Sequence, residues 1–463
     1  MASSDRPAAP PTSRLGRIAR LTALAPRALP IAAEAMRRVT GGKRTAVQEE
    51  EAKKKLLMNA KKTAEAMLKT LGDMKGLPLK FGQMASYIDG LAPPGYEEKF
   101  QDILKKLQAK APPLSASAAK EVVLRELGAQ PSEVYAEWEE EPFAAASIGQ
   151  VHRATTKSGE RVAVKVQYPG IDKAIVNDLK SLSTLESMIA PIGRKYHTKE
   201  TLEEVRTVFM DELDYSREAD TTDLFRRVHK GDDEIVIPRI QHSLTTRRVI
   251  TSELIGGVDY ATFIAEATQE EKNAAGATIW RFMHRALYRH GLLYADPHPG
   301  NYRFLGGGRV AFLDFGCLKV LPADLMMRIK AQLIAAEDGD WVEFERLCVD
   351  HLGLDPTEPE MYDLHVEYVK MLFTPFTTRG NFKYTKGFAR EAVAFLVRNG
   401  KGIVFRPGEA LPNLPKPINI PTDMTFMNRL QWGLTSVLAG LEAEANFREL
   451  CDEWLRGPIV PPP

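Results

Sequence analysis

Four short stretches of this 463-residue chain carry the residue types that phosphoryl chemistry needs. Asp296-Pro297-His298-Pro299-Gly300-Asn301 sets a carboxylate five residues ahead of an amide. That spacing suits a loop that orients a nucleophile and helps to hold a metal. Asp314-Phe315-Gly316 begins thirteen residues after Asn301, at the end of an apolar strand pattern that would deliver a second carboxylate beside it. Asp314 and Asn301 are hard oxygen donors, as Mg2+ requires, and Mg2+ keeps substrate phosphate oxygens in its shell. Val162-Ala163-Val164-Lys165 puts one lysine on an alternating strand, sixteen residues past Gly149. A lysine so placed can hold α- and β-phosphates and pair with a helical glutamate.

The fourth stretch is Ala144-Ala145-Ala146-Ser147-Ile148-Gly149-Gln150-Val151. Laid on the phosphate-loop pattern G-x-G-x-x-G-x-V, it keeps Gly149 and Val151 and puts Ala144 and Ala146 where glycines stand. Taken singly, an Ala-rich turn, a strand lysine or a DFG triplet is unremarkable. Their common order and spacing point to a kinase-like nucleotide site. The departures bear on chemistry. Cβ atoms at 144 and 146 keep the backbone away from phosphate oxygens, which alters nucleotide pose or selectivity between ADP and ATP. Tyr294-Ala295 precedes Asp296 where His-Arg would stand, so an Arg that grips a phosphorylated loop is missing. A helix start at Leu321-Pro322-Ala323-Asp324 follows soon after Gly316, with no A-P-E motif. Protein phosphorylation is disfavoured. His298, between two prolines, reads as a turn-shaping residue, and Cys317 as a small buried one.

The elements that must position these residues are legible in outline. Ser115 to Leu127 reads as a capped helix stopped by Gly128. Val151–Thr155 and Arg161–Gln167 read as a hairpin about Lys157-Ser158-Gly159. Long helical patterns follow over Ile171–Tyr196 and Lys199–Lys230, then short strands at Ile235–Arg239 and Arg247–Glu253. After Gly256-Gly257 the chain is mostly helical. A β-rich unit followed by a helical one predicts two lobes about a cleft. Glu253 stands at the expected hinge, where backbone groups would read adenine.

Composition bounds the rest. Hydrophobic residues are 44% and charged residues 27% of the chain, the usage of an ordinary globular protein. Sixty-two basic against 61 acidic residues leave +1, which argues against a nucleic-acid binder. The balance is uneven: up to Ala46 nine basic residues face two acidic ones, so a tail of +7 offsets a body of −6. Arg14, Arg17 and Arg20, with Leu15, Ile18 and Leu21, permit a short basic amphipathic helix. It would serve as an anchor on an anionic membrane surface, as a transit peptide or as a solvated tail. Three distant cysteines form no disulfide framework, and no apolar run reaches membrane-spanning length.

These motifs resemble the UbiB/AarF family of atypical kinases. Its Lys-x-Gly-Gln motif is matched by Lys80-Phe81-Gly82-Gln83, its Glu-x-Asp motif by Glu212-Leu213-Asp214, and its catalytic loop by Asp296 to Asn301. The likeness runs from about Leu71 to Lys319. It implies an α+β, bilobal protein-kinase-like fold with a helical N-terminal extension over the active site. The expected divisions are a tail at 1–46, an extension at 47–130, an N-lobe at 131–257, a C-lobe at 258–455 and a Pro-rich tail at 456–463.

By the resemblance, Lys165 pairs with Glu218, and Asp296 acts with Lys80 and Gln83 from a helix folded over the cleft. Ala144, Ala145, Ala146, Ser147, Gly149, Val151, Lys165 and Glu253 would line the nucleotide, ATP or ADP. Asn301, Asp314, Glu212 and Asp214 would serve Mg2+. The family further implies Mg-dependent ATP hydrolysis or transfer to a small or lipid-like acceptor in ubiquinone biosynthesis, alongside quinone-biosynthesis proteins. A nucleotide-gated scaffold or lipid chaperone is the alternative. The setting would be cytoplasmic, peripheral at the inner membrane, or the mitochondrial matrix if the tail is a transit peptide.

Overall fold

Strand β4 (Arg161–Gln167) alternates as its sequence requires, burying Val162, Val164 and Val166 on one face while Lys165 takes the other. The computed structural model around it describes residues 12–13, 15–17, 19, 115–146, 148–180, 206–207, 210–352, 356–357, 359–399 and 423–463. Strands β1 (Glu137–Trp138), β2 (Ala144–Ala145), β3 (Gly149–Thr155) and β4 (Arg161–Gln167) form an antiparallel sheet. It closes with β6 (Val249–Glu253) in the order β1-β3-β4-β6, and β2 extends along β3. Helix α1 (Ala116–Leu127) covers the valine face through Ala119, Val122 and Val123. It packs as part of this lobe, although the sequence groups it with the extension. The opposite face is covered by a helix at 171–180 and by α2 (Tyr215–Val228), through Ile171, Ile175, Tyr215 and Ala219.

The expected helix over Lys199–Lys230 is interrupted. Glu212 and Leu213 lie in a turn, and Asp214 caps α2 by accepting the Ser216 N–H at 3.0 Å. Buried Gln167, at the end of β4, donates to Leu213 O at 2.9 Å and takes that carbonyl out of any helical ladder. Helical periodicity in the sequence does not register a tertiary bond of this kind.

The second half is built on α4 (Gln269–His290), whose Trp280, Phe282, Met283 and Leu287 are buried in the main core. A capping box from Thr268 and Glu271 starts it, and α3 (Tyr260–Glu266) precedes it. Strand β7 (Leu292–Tyr294) pairs antiparallel with β10 (Leu318–Val320). The hairpin of β8 (Tyr302–Gly306) and β9 (Arg309–Phe312) takes β5 (Ile235–Val236) as a parallel edge. Helices α5 (Ala323–Asp338), α6 (Trp341–Leu352), α7 (Pro359–Leu372), α8 (Lys386–Asn399), α9 (Asp423–Leu441) and α10 (Glu449–Arg456) complete the helical half. The architecture is mixed α+β, an antiparallel sheet followed by a helical body. Among the described residues no helix is long and apolar enough to cross a membrane.

The sequence expects apolar residues of the basic tail to seek cover and its arginines to seek water. In the helical turn at 15–17 the reverse holds: Leu15 is 81% exposed and Arg17 only 1%. Arg17 Nε and Nη2 reach Asp178 Oδ1 and Oδ2 at 2.6 and 2.5 Å, and Asn177 Nδ2 donates to Thr12 O at 2.8 Å. The bidentate pair compensates for burying the charge.

Candidate active site

Lys165 is the hub. Its Nζ donates to Glu218 Oε1 and Oε2 at 2.9 and 3.0 Å and to Asp314 Oδ2 at 3.1 Å. Three elements meet there: β4 supplies the lysine, the first turn of α2 the glutamate, and the segment after β9 the aspartate. Burial opposes the charge on Lys165, but Asp314 and Glu218 overcome that cost and hold the ammonium well above its usual range. Burial also pushes the Glu218 carboxyl up to about 7; Lys165 opposes this, while Asp314 and Glu212 add repulsion.

Glu212 joins this cluster. A methyl on Gly316 would stand 3.3 Å from Asp314 Oδ1, 3.6 Å from Glu218 Oε2 and 3.8 Å from Glu212 Cγ. Gly316 thus threads its backbone among three carboxylates, and its N–H donates to Asp314 Oδ1 at 3.0 Å. Asp214 spends its Oδ1 on the cap of α2.

The loop between β7 and β8 is stapled by its own groups. Asn301 Nδ2 and the His298 N–H both donate to Asp296 O, at 3.1 and 2.7 Å. His298 Nδ1 accepts the Gly300 N–H at 2.9 Å, the turn-shaping bond its flanking prolines suggest. Tyr294 OH donates to Asp314 O at 2.7 Å, and Leu313 N–H to Asn301 O at 2.9 Å. Asp296, Asn301 and Asp314 are therefore held as one unit. Buried Cys317 accepts the Ala295 N–H on its carbonyl at 3.0 Å.

On the upper side, Ala144 and Ala145 pair with Val151 and Gln150. The Ala146 N–H closes the turn onto Gly149 O at 2.8 Å. Gly149 is required for space: a Cβ would lie 2.5 Å from Val166 O and 2.8 Å from Tyr215 OH. The Tyr215 ring centroid lies 5.0 Å from Lys165 Nζ. Tyr215 is thus the floor of the loop and a neighbour of the lysine, and Gln167 fixes the turn bearing Glu212. Sequence reasoning passed over both as site residues. The only signals were an aromatic directly after the Glu-x-Asp motif and a polar residue ending an apolar strand. Glu253 ends β6, with its carboxylate turned to Arg239 Nε at 3.3 Å. Ser147, Lys80 and Gln83 lie outside the described residues.

The donor set fits a divalent cation by charge. One ammonium faces Glu218 and Asp314 with Glu212 beside them, so the carboxylates outnumber the cation among these residues. Among the described residues no three His, Cys, Asp or Glu are grouped as a metal cage. Mg2+ does not need one, since it is bound by one or two carboxylates plus phosphates.

Comparison with known proteins identifies the family. The family model for the ABC1 atypical kinase-like domain matches residues 106–347. An uncharacterized protein of Synechocystis is 31% identical over 67% of this chain and 78% of its own length. The mitochondrial atypical kinase COQ8 of Saccharomyces cerevisiae is 30% identical over 72% of this chain and 65% of its own length. The mitochondrial atypical kinase COQ8B of Danio rerio is 30% identical over 81% of this chain and 59% of its own length. The chain therefore spans less than two thirds of the yeast and zebrafish relatives. A solved structure, the Rv3197–erythromycin complex from Mycobacterium tuberculosis, superposes with a TM-score of 0.58 at 25% identity. It covers 89% of this chain and 98% of that one. The N-terminal sheet, the Lys165 hub, the stapled loop and these matches agree: the chain belongs to the ABC1 atypical kinase-like family.

Proposed function

We propose that this chain binds ATP or ADP with Mg2+ between its sheet and its helical half, and hydrolyses ATP or passes its terminal phosphoryl group to a small or lipid-like acceptor. The observation that carries this reading is the three-element junction at Lys165, beside a loop that holds Asp296, Asn301 and Asp314 as one unit. Lys165 would neutralise phosphate oxygens, with Glu218 fixing its position. Asp314 and Asn301 would hold Mg2+, which when bound supplies charge neutralisation at the phosphates. Asp296 would orient the attacking water or hydroxyl. Such a site works by positioning and electrostatics, since phosphoryl transfer leaves the protein little covalent work.

The short link after Gly316 argues against a protein substrate. Only residues 317–322 separate Gly316 from α5, and three of them are spent in β10. That leaves no room for a peptide-docking segment between Gly316 and α5. A role in ubiquinone biosynthesis, by likeness to the UbiB family, is the proposed setting. Asp314→Asn tests the site: turnover of Mg–ATP is expected to fall at least about 10²-fold, because stabilising the charge that develops on the phosphates is the largest part of the catalysis. Unchanged hydrolysis would overturn the assignment. Stimulation of wild-type turnover by a phenol resembling a quinone precursor supports the acceptor class. Nucleotide binding without turnover favours a nucleotide-gated scaffold instead.

A further inference from the structure

Helix α9 lies beyond the matched family domain, yet one of its faces touches both the loop after Asp296 and the start of α3. Gly433, Val437 and Gly440 recur at helical spacing and share that face. A methyl on Gly433 would stand 2.5 Å from Pro297 Cγ and 3.5 Å from its Cδ. Pro297 directly follows Asp296. One turn on, Tyr260 OH donates to Val437 O at 2.6 Å, and a turn further a Cβ on Gly440 would meet the same hydroxyl. Tyr260 opens α3, three residues after Gly257.

Neither side of the Pro297 contact has slack. Leu430, Leu434 and Leu438 bury α9 in the main core, so the helix has no room to retreat. The proline ring is rigid, and the bonds that the His298 N–H and Asn301 Nδ2 make to Asp296 O close the loop on itself. A glycine inside a helix costs about 1 kcal/mol relative to alanine. Close approach supplies a reason for glycine at 433 despite that cost.

We propose that Gly433 is a positioning residue: α9 sets the place of Asp296 through its contact with Pro297. The inference rests on the reading of Asp296 given above. Lys165 and Glu218 are held by β4 and α2, whereas Asp296, Asn301 and Asp314 form one unit, so α9 acts on the loop side of the site and leaves the Lys165–Glu218 pair alone.

The test compares Gly433→Ala, Pro297→Ala and the double variant in the full chain. Gly433→Ala is expected to lower kcat for Mg–ATP by about 10²-fold, the cost of roughly 1 Å of misplacement. Nucleotide Kd measured without Mg2+ stays within about twofold, and amide exchange across residues 292–302 rises in the nucleotide-free protein. With Pro297→Ala the obstructing Cγ is gone, and Gly433→Ala then costs about twofold or less, the signature of a direct coupling. Equal losses in both backgrounds, by turnover and by exchange, would overturn the proposal. Coupled exchange without coupled turnover, or no turnover by the unaltered chain, would instead overturn the reading of Asp296 and leave the buttress standing. If Gly433→Ala alone does not fold, the double variant must; failure of both sinks the inference.

Discussion

At Lys165 one positive charge answers two carboxylates within hydrogen-bond reach and a third nearby; burial first, and then that repulsion, raise the Glu218 pKa. The groups facing Glu218 are Lys165, Asp314, Glu212 and the Tyr215 phenol. A carboxyl whose pKa rises on folding from 4.5 to about 7 binds its proton more tightly in the native state. Its contribution is complete below the unfolded value and is lost as pH rises through about 7. Without nucleotide, stability measured by urea unfolding should therefore decline between about pH 5 and 7.5, and Glu218→Gln should flatten that decline. A decline of the same size in the variant would refute the assignment. Lys165, Asp296 and Asp314 were legible in the sequence because their chemistry is written in short motifs with fixed spacing. Tyr215 and Gly433 were not, because what defines each is a neighbour 66 and 136 residues away, Gly149 and Pro297.

Among elements, α2 carries most of the coupling. Its first turn presents Glu218, and two turns on Phe225 packs against Phe315 with ring centroids 5.2 Å apart. Phe282 and Tyr294 close the same aromatic cluster. A shift of α2 would therefore be felt at Asp314 through both an ion pair and packed rings. The hairpin of β3 and β4 and the stop of α1 at Gly128 followed from alternation and turn chemistry, whereas the break at Glu212–Leu213 depends on Gln167. The turn at 15–17 is tied to the helix at 171–180 by a buried pair, and each partner there depends on the other. Burial raises the Asp178 pKa and Arg17 opposes the rise. Arg17→Ala and Asp178→Ala should each destabilise by about 3 kcal/mol, with the double variant little worse than either single one. Additive losses in thermal or urea unfolding would show that the pair is not the fastening.

Over the whole molecule, a chain of near-zero net charge carries +7 in its first 46 residues. Composition revealed this segregation, but nothing in composition could reveal that Arg17 is withdrawn from it. Deleting residues 1–46 should weaken sedimentation with anionic vesicles by at least about 10²-fold, since each basic residue near the surface contributes roughly 1 kcal/mol, or about fivefold. Equal sedimentation of both forms would remove the tail from that role. The buried Arg17–Asp178 pair also gives the N-terminus two different responses to ionic strength. Exposed charges are screened within about 8 Å at physiological salt, but a pair shut away from water is screened far less. Raising salt should therefore strip the chain from an anionic surface while the turn at Arg17 stays seated on its helix. Attachment outside the protein would then be reversible by salt, and attachment within it would not.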